Sequence, residues 1–566
     1  PNPKPQTPNP KPHIICKPLY PHLRYKSMNG GFGFQNLLKE GHMHYAGLEE
    51  AILRCIGACR EITQITRTSY GPLAMKKLIV NHIDKMFITN DVSTMLKEID
   101  VNHPAAKLLV MAAKMQKDDF GDLTNYTLTL AGELLGQAET LIKGGLHPSA
   151  IITGFELGLE KAVEILNNNV SLRINNLSDK ASVAQIMRSA LGPKLPSYFE
   201  FFGDLVTDAC LSILQEQTPR FNSDNIRCIR ILGGSLEMST LVNGFVIARG
   251  PENSDLTTLK KVKVAAYSCP FDPQGGETKG TVLIKTADEL IKYSNTEEAL
   301  AERIVKGLSE ADVKVVAVGG SISELCLHFL SKYGIFVLKI QSKFELQRLC
   351  KAINAIALAD LNVPTAEEMG YSDSINVKEI GSTRVTVFEK SDIGSKLCTI
   401  VLRGTSNSIM EDAERALENA VSVFKQAIND NRFVAGAGAS ECYLQNSLEL
   451  YSSTLTGLEQ YSVAAYGQSF ENFVRILLEN AGMNPNELLP NVLSGNQHQP
   501  EFGVDVLNSK LSNSSELGVY ENTACKINAL KLATHAAVTI LRIDQIIVSK
   551  PAGGPKPKEN KGWDND

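Results

Sequence analysis

At 566 residues the chain is longer than one ordinary core holds, and at about 150 residues per domain it predicts three or four domains. Its 43% hydrophobic and 21% charged residues suit a chain that buries most of its length, and no run of about 18 uncharged apolar residues predicts a membrane span. Net charge is −5, and the first 27 residues carry five Lys/Arg and no acid, so the remainder stands at −10, which excludes a basic nucleic-acid groove as the main theme.

Residues 1–27 hold eight of the 24 prolines, a composition that predicts an extended or disordered segment. Ordinary sequence begins at Met28, which is read as the natural start; a transit peptide would carry more Ser and Arg and less Pro. From about 48 to 168 apolar residues recur at spacings of three and four, predicting helices over 47–60, 103–117, 126–143 and 148–166. From about 262 to 401 short β-branched runs predict strands over 262–267, 281–284, 313–318, 336–340, 385–388 and 399–402. Helices over 296–309 and 321–332 alternate with them, the pattern of a parallel βαβ layer. After Asn407 the pattern is helical to Leu541, and residues 550–566, with the one tryptophan, Trp563, form a Pro/Gly/Lys-rich loose tail. Helix-rich ends around an α/β middle predict an inserted domain.

The 11 cysteines are scattered and contain no CxxC, as expected of reduced thiols in the cytosol. Cys55 and Cys59 lie one helical turn apart with His42-Met43-His44 nearby, a weak metal candidate beside the ordinary reading of buried thiols.

Four polar breaks could carry chemistry. Thr68-Ser69-Tyr70-Gly71-Pro72 ends one helix, and Thr89-Asn90-Asp91 follows the strand-like stretch 86–88. Gly121-Asp122-Leu123-Thr124-Asn125 precedes the long helix 126–143, and Gly436-Ala437-Gly438-Ala439 opens another. Glycine lets backbone N–H groups approach a ligand, and a helix N-terminus presents unpaired N–H groups to anions. A carboxylate such as Asp122 beside phosphate calls for a cation between them, and Mg²⁺ prefers oxygen ligands of this kind. Asp122 is equally suited to be a helix N-cap, so nucleotide binding and a plain structural turn both stay open at this point. There is no Walker A motif and no GxGxxG opening a βαβ unit.

In their order these segments resemble the group II chaperonin family. The resemblance includes His103-Pro104-Ala105-Ala106-Lys107, the run Phe221 to Arg227, Glu277 to Ile284 and Val401-Leu402-Arg403-Gly404. It ends with Leu541 to Ile547 and Pro551-Ala552-Gly553-Gly554-Pro555, which are similar to one subunit type of the eukaryotic cytosolic complex. The match runs from Met28 nearly to the end.

The resemblance implies a multidomain α plus α/β fold: a helical equatorial domain (28–168 and 431–549), a small intermediate domain (169–236 and 396–430) and an inserted α/β apical domain (237–395). It implies two stacked eight-membered rings of different subunits in the cytoplasm, with no nucleic-acid or membrane partner. ATP binding and hydrolysis would close a lid over non-native clients such as actin and tubulin. The stretch after Glu277, including 286–296, would form the apical protrusion, or else an ordinary surface helix. Tyr70, Gly71, Leu123, Thr124, Asn125 and Tyr126 would contact ATP or ADP, and Asp122 would hold Mg²⁺. Leu191 and Gly192 would approach the nucleotide from the intermediate domain, and Gly436 or Ala437 from the second equatorial segment. Glu521 and Lys526 would lie near adenosine, and Asp91 would orient the attacking water.

Three positions depart from the family pattern. Leu123 replaces a glycine where positive φ is needed, Ala74 replaces the second glycine of Gly-Pro-x-Gly, and Asn419 stands where the family has a catalytic aspartate. An amide accepts a proton far less readily than a carboxylate, so ATPase activity of this subunit stays open, with Asn419 and Leu123 expected to weaken it. Asn419 on an exposed helix face, or an alignment displaced by one residue, is the rival reading. The rival function is a divergent chaperonin-like scaffold or interaction protein outside the ring.

Overall fold

The computed structural model describes residues 43–46, 48–81, 83–214, 221–252, 258–272, 286–389 and 397–548. The expectations for residues 1–27, His42, strand 281–284, the protrusion's beginning after Glu277 and the tail 550–566 lie outside them. Two units are distinguished. In one, strand Met43–Ala46 pairs antiparallel with Gln545–Val548, setting Met43 opposite Val548. The other runs from Leu48 to Asp544.

Helices Leu48–Arg67, Pro104–Phe120, Thr124–Lys143 and Pro148–Asn168 begin this larger unit. Ala51, Ile52, Cys55, Ile56 and Cys59 repeat at three and four residues and bury one face of the first. Pro104 sits in the first turn of the second, where its missing N–H costs nothing, and Gly121 ends it at φ +79°. Helix Thr124–Lys143 is buried on most sides and packs against helices Glu459–Asn480 and Thr523–Leu541 from the other end of the chain. Burial of Cys59, then the neighbouring Cys55, pushes its thiol up to about 12, which suits an inert core thiol.

The middle of the chain holds a seven-stranded sheet. Strands Thr258–Tyr267, Val313–Val318 and Phe336–Lys339 are parallel, as the βαβ pattern predicts. Val264, Ala266, Val315 and Ala317 face one core with helix Lys343–Ile353, while Ala265, Tyr267, Val316 and Val318 face another with helices Ala287–Glu310 and Glu324–Lys332. Both faces are covered over 264–267, 315–318 and 336–338, and there the strands read as continuous apolar runs. The predicted strand 385–388 departs from the parallel scheme: Thr383–Glu389 pairs antiparallel with Gly370–Ile380, making the sheet mixed. Strand 399–402 belongs to a separate sheet, where Cys398–Gly404 lies between Ile226–Leu232 and Thr240–Asn243.

That small sheet shares a core with helices Lys180–Leu191, Phe199–Ile213 and Asn407–Asn429. On Asn407–Asn429 the buried Met410, Ala413, Ala416, Leu417 and Ala420 form one stripe. Beyond it the chain is not continuously helical. Strands Arg432–Ala435, Phe502–Asp505, Lys510–Asn513 and Tyr520–Asn522 interrupt it, each too short to show a period of two above the helical background. The fold is therefore α plus α/β, built on several cores.

Candidate functional site

Chain segments more than 400 residues apart surround a cavity of about 730 Å³. Tyr70, Gly71, Asp91, Asp122, Leu123, Thr124, Asn125, Tyr126, Gly192, Asn419, Ala437 and Glu521 all line it. Leu191, Gly436 and Lys526 do not. Leu191 is fully buried in the core of the small sheet. Gly436 uses its N–H on Val519 O (3.0 Å) and its carbonyl on Ser514 Oγ (2.7 Å). Lys526 is buried one layer behind the wall, with its Nζ 5.4 Å from the Tyr126 ring centroid.

The turn at Tyr70 is held from behind: Asn480 Nδ2 donates to Arg67 O (3.0 Å) and Tyr70 O (2.8 Å). The Tyr70 and Tyr126 rings both pack on Phe473, with centroids at 5.3 and 4.5 Å. Among the described residues the buried Tyr126 hydroxyl has no hydrogen-bond partner.

Leu123 has φ +59° and ψ +23°, and Ala437 has φ +56°. Both non-glycine residues take the left-handed backbone that the glycine-rich turns require, at about 1–2 kcal/mol each. Leu123, rather than Asp122, is the N-cap of helix Thr124–Lys143, and it supplies no side-chain cap. The helix-cap reading of Asp122 therefore falls. Its carboxylate instead accepts from Lys194 Nζ at 3.0 Å.

Asp91 caps helix Val92–Glu98, accepting from the Thr94 N–H (3.2 Å) and hydroxyl (2.9 Å). Burial alone would raise the Asp91 carboxyl, but the Lys117 and Lys194 ammonium groups and the Thr94 hydrogen bonds together hold it below its usual value. Asn419 is 2% exposed, so the exposed-face reading also falls. Lys117 Nζ donates to Asn419 Oδ1 and, at 3.3 Å, to Gly121 O. Burial and then Lys194 lower the Lys117 ammonium, against the pull of Asp91 and Asp122. Two carboxylates, two ammonium groups and one amide thus meet at one end of the cavity.

Behind the cavity wall Lys526 Nζ lies 2.6 Å from Glu441 Oε1 and 2.7 Å from Glu521 Oε2, with Lys526 and Glu441 almost wholly buried. Burial raises the Glu521 carboxyl despite Lys526. Lys117, Lys194 and Glu441 were not identified from sequence. Lys194, two residues beyond Gly192 in a Gly-Pro turn, carried a weak signal; Lys117 reads as one more helix-surface lysine.

Among the described residues no three His, Cys, Asp or Glu side chains form a metal cluster, and Cys55 and Cys59 are buried thiols; His42 and the His44 side chain lie outside the described residues. For Mg²⁺ beside a phosphate one or two carboxylates suffice, because phosphate and water oxygens complete the shell. Asp122 fits that requirement: Lys194 takes one of its oxygens, and Asp122 lines the same cavity as Asp91.

Residues 62–551 match the family model for the TCP-1/cpn60 chaperonin family. The chain belongs to that family. It is 43% identical to human T-complex protein 1 subunit theta over 538 residues, covering 94% of this chain and 98% of that protein. The theta subunit of Dictyostelium discoideum is 42% identical over 535 residues, 94% of this chain and 99% of its own length. That of Arabidopsis thaliana is 43% identical over 528 residues, 93% and 96% respectively. The resemblance to theta subunits therefore spans almost the whole chaperonin chain.

Proposed function

We propose that this chaperonin chain works as a theta-like subunit of a hetero-oligomeric cytoplasmic double ring, binding Mg-ATP in the 730 Å³ cavity. The observation that carries the site is the convergence of Asp91, Asp122, Lys194 and the turn Leu123–Tyr126 on one end of that cavity. The turn's backbone and the first turn of helix Thr124–Lys143 present N–H groups suited to phosphate oxygens. Asp122 would hold Mg²⁺, which when bound neutralises phosphate charge. Asp91 and Asn419 would orient the attacking water, while Tyr70, Gly71, Ala437 and Glu521, which line the same cavity, would enclose the rest of the nucleotide. Gly192 would bring the turn after helix Lys180–Leu191 to the phosphates. Leu191, Gly436 and Lys526 would act from behind the wall.

In this reading the equatorial domain comprises 28–168 and 431–549, the intermediate domain 169–236 and 396–430, and the apical domain 237–395. Ring assembly is supported by the hairpin Lys77–Val80 and Met86–Thr89, whose Leu78, Val80, Met86 and Ile88 are 47–66% exposed. Such an apolar ribbon with free edges suits burial against a neighbouring subunit. Non-native polypeptides, actin and tubulin among them, would be the clients. No helix among the described residues is long and apolar enough to cross a membrane.

Sedimentation of the native protein from its own cytosol tests the assembly. Sixteen chains of this size give roughly one megadalton, the mass expected of the closed double ring. A protein found only well below that mass would be a scaffold outside the ring.

A further inference from the structure

Asn419 meets the cavity with its amide held in one orientation. Lys117 donates to its Oδ1, and an ammonium group has donors only, so the oxygen must face the lysine. The two Nδ2 hydrogens are then left for the cavity side; among the described residues no acceptor is recorded for them. The helix that carries Asn419 is fixed around it. Gln426 Nε2 donates to Asp119 O at 3.0 Å, and Lys76 Nζ pairs with Asp412 Oδ2 at 2.7 Å. Gly121 lies so close to Ser422 that a Cβ there would come within 2.3 Å of the Ser422 Cβ. Rotation of this helix is therefore not free to turn the amide.

Charge points the same way. Asp91 and Asp122 are balanced by Lys117 and Lys194, and the amide adds no charge. A carboxylate at 419 would still pair with Lys117 but would bring a third negative group to the end of the cavity proposed to receive phosphate.

We infer that Asn419 is a phosphate-oxygen donor, its Nδ2 hydrogen-bonding the terminal phosphate of a bound nucleoside triphosphate, with Lys117 as the residue that sets the amide's orientation. This rests on the nucleotide reading of the cavity. Position 419 then recognises the substrate's charge instead of accepting a proton from water, and the site favours triphosphate over diphosphate. A hydrogen bond to a charged oxygen sets the scale of that preference at about tenfold or more.

The test is equilibrium binding of a non-hydrolysable β,γ-imido ATP analogue and of ADP to the full chain at one fixed Mg²⁺ concentration, with folding followed by thermal melting. Wild type should bind the analogue more tightly than ADP. Asn419→Asp should lose that preference by about tenfold or more with ADP affinity little changed. Asn419→Ala reads the same loss should the aspartate variant fold poorly. Lys117→Met, which frees the amide to turn, should lower the preference, and Lys117→Arg, again a pure donor, should retain it. An analogue-to-ADP ratio identical in wild type, Asn419→Asp and Asn419→Ala would overturn the donor role while leaving the nucleotide site intact. An unchanged ratio in Lys117→Met would overturn the orienting role of Lys117. Wild type that binds neither nucleotide would overturn the nucleotide reading and this inference with it.

Discussion

Lys194 donates to Asp122 at 3.0 Å, and this one ion pair joins the turn after helix Lys180–Leu191 to the turn before helix Thr124–Lys143. The two side chains are 20% and 26% exposed, so the pair is accessible to a ligand arriving in the cavity. Removing the carboxylate takes away the proposed metal ligand but little buried structure. Asp122→Ala is expected to weaken Mg-nucleotide binding at least tenfold and to cost no more than about 1 kcal/mol of stability. Titration calorimetry and denaturant unfolding check both halves. Unaltered nucleotide affinity would remove Asp122 from the site.

Gly121 has both a left-handed backbone and no room for a side chain, since Ser422 fills the space a Cβ would need. Gly121→Ala should destabilise the chain by about 2 kcal/mol or more, from backbone strain and the displaced helix Asn407–Asn429 together. Gly145, also left-handed but with open space around its Cβ position, is the control: Gly145→Ala should cost only the backbone share, about 1 kcal/mol. Equal costs in urea unfolding would show that the Ser422 contact gives way.

Hydrolysis should be the weak function of this subunit. Asn419 cannot easily take a proton, and restoring an acceptor with Asn419→Asp is expected to raise the single-turnover rate by up to roughly 10²–10⁴-fold. Lys117 would pair with the new carboxylate and lower its basicity, so adding Lys117→Met should raise the rate further. Leu123→Gly relieves positive-φ strain in the phosphate turn and should add stability of about 1 kcal/mol. Nucleotide occupancy must be measured alongside. A wild-type rate already equal to that of Asn419→Asp would show that Asp91 suffices.

The buried group Glu441, Lys526 and Glu521 predicts a stability effect of another size. Lys526 is 0% exposed between two carboxylates, and Lys526→Met strands them. The expected cost is about 3–5 kcal/mol. Lys526→Met with Glu441→Gln should recover part of it, because fewer unpaired charges remain buried. A single variant as stable as wild type, by guanidinium unfolding, would refute the pairing.

Acid should destabilise the chain partly through Asp91. Its carboxyl is held below the usual value, so its contribution is complete above the unfolded value of about 3.9 and is lost as pH falls through the lower folded value. Asp91→Asn keeps a good helix cap but not the charge. The stability difference between wild type and Asp91→Asn should be constant from pH 5 to 7 and shrink below about pH 4. A difference independent of pH would show that Lys117 and Lys194 do not act on Asp91.

Helix positions around 48–168, strand 313–318 and the turn at Gly121 were legible in the sequence because each is a local signal: a repeat of three and four, a β-branched run, a glycine before a polar pair. The same holds for most of the cavity wall, since Tyr70, Asp91, Asp122–Tyr126 and Ala437 all lie in such breaks. The mixed sheet was not legible, because strand direction depends on which neighbour a strand meets and not on its own residues. Lys117 and Lys194 were missed because a lysine becomes part of a site only when folding brings acceptors to its ammonium, here from residues 72 and 302 positions away. The sequence by itself determined that position 419 carries an amide and that it cannot serve as a strong base. Only the tertiary structure decided which end of that amide faces the cavity, because a donor-only lysine from a distant helix occupies its oxygen.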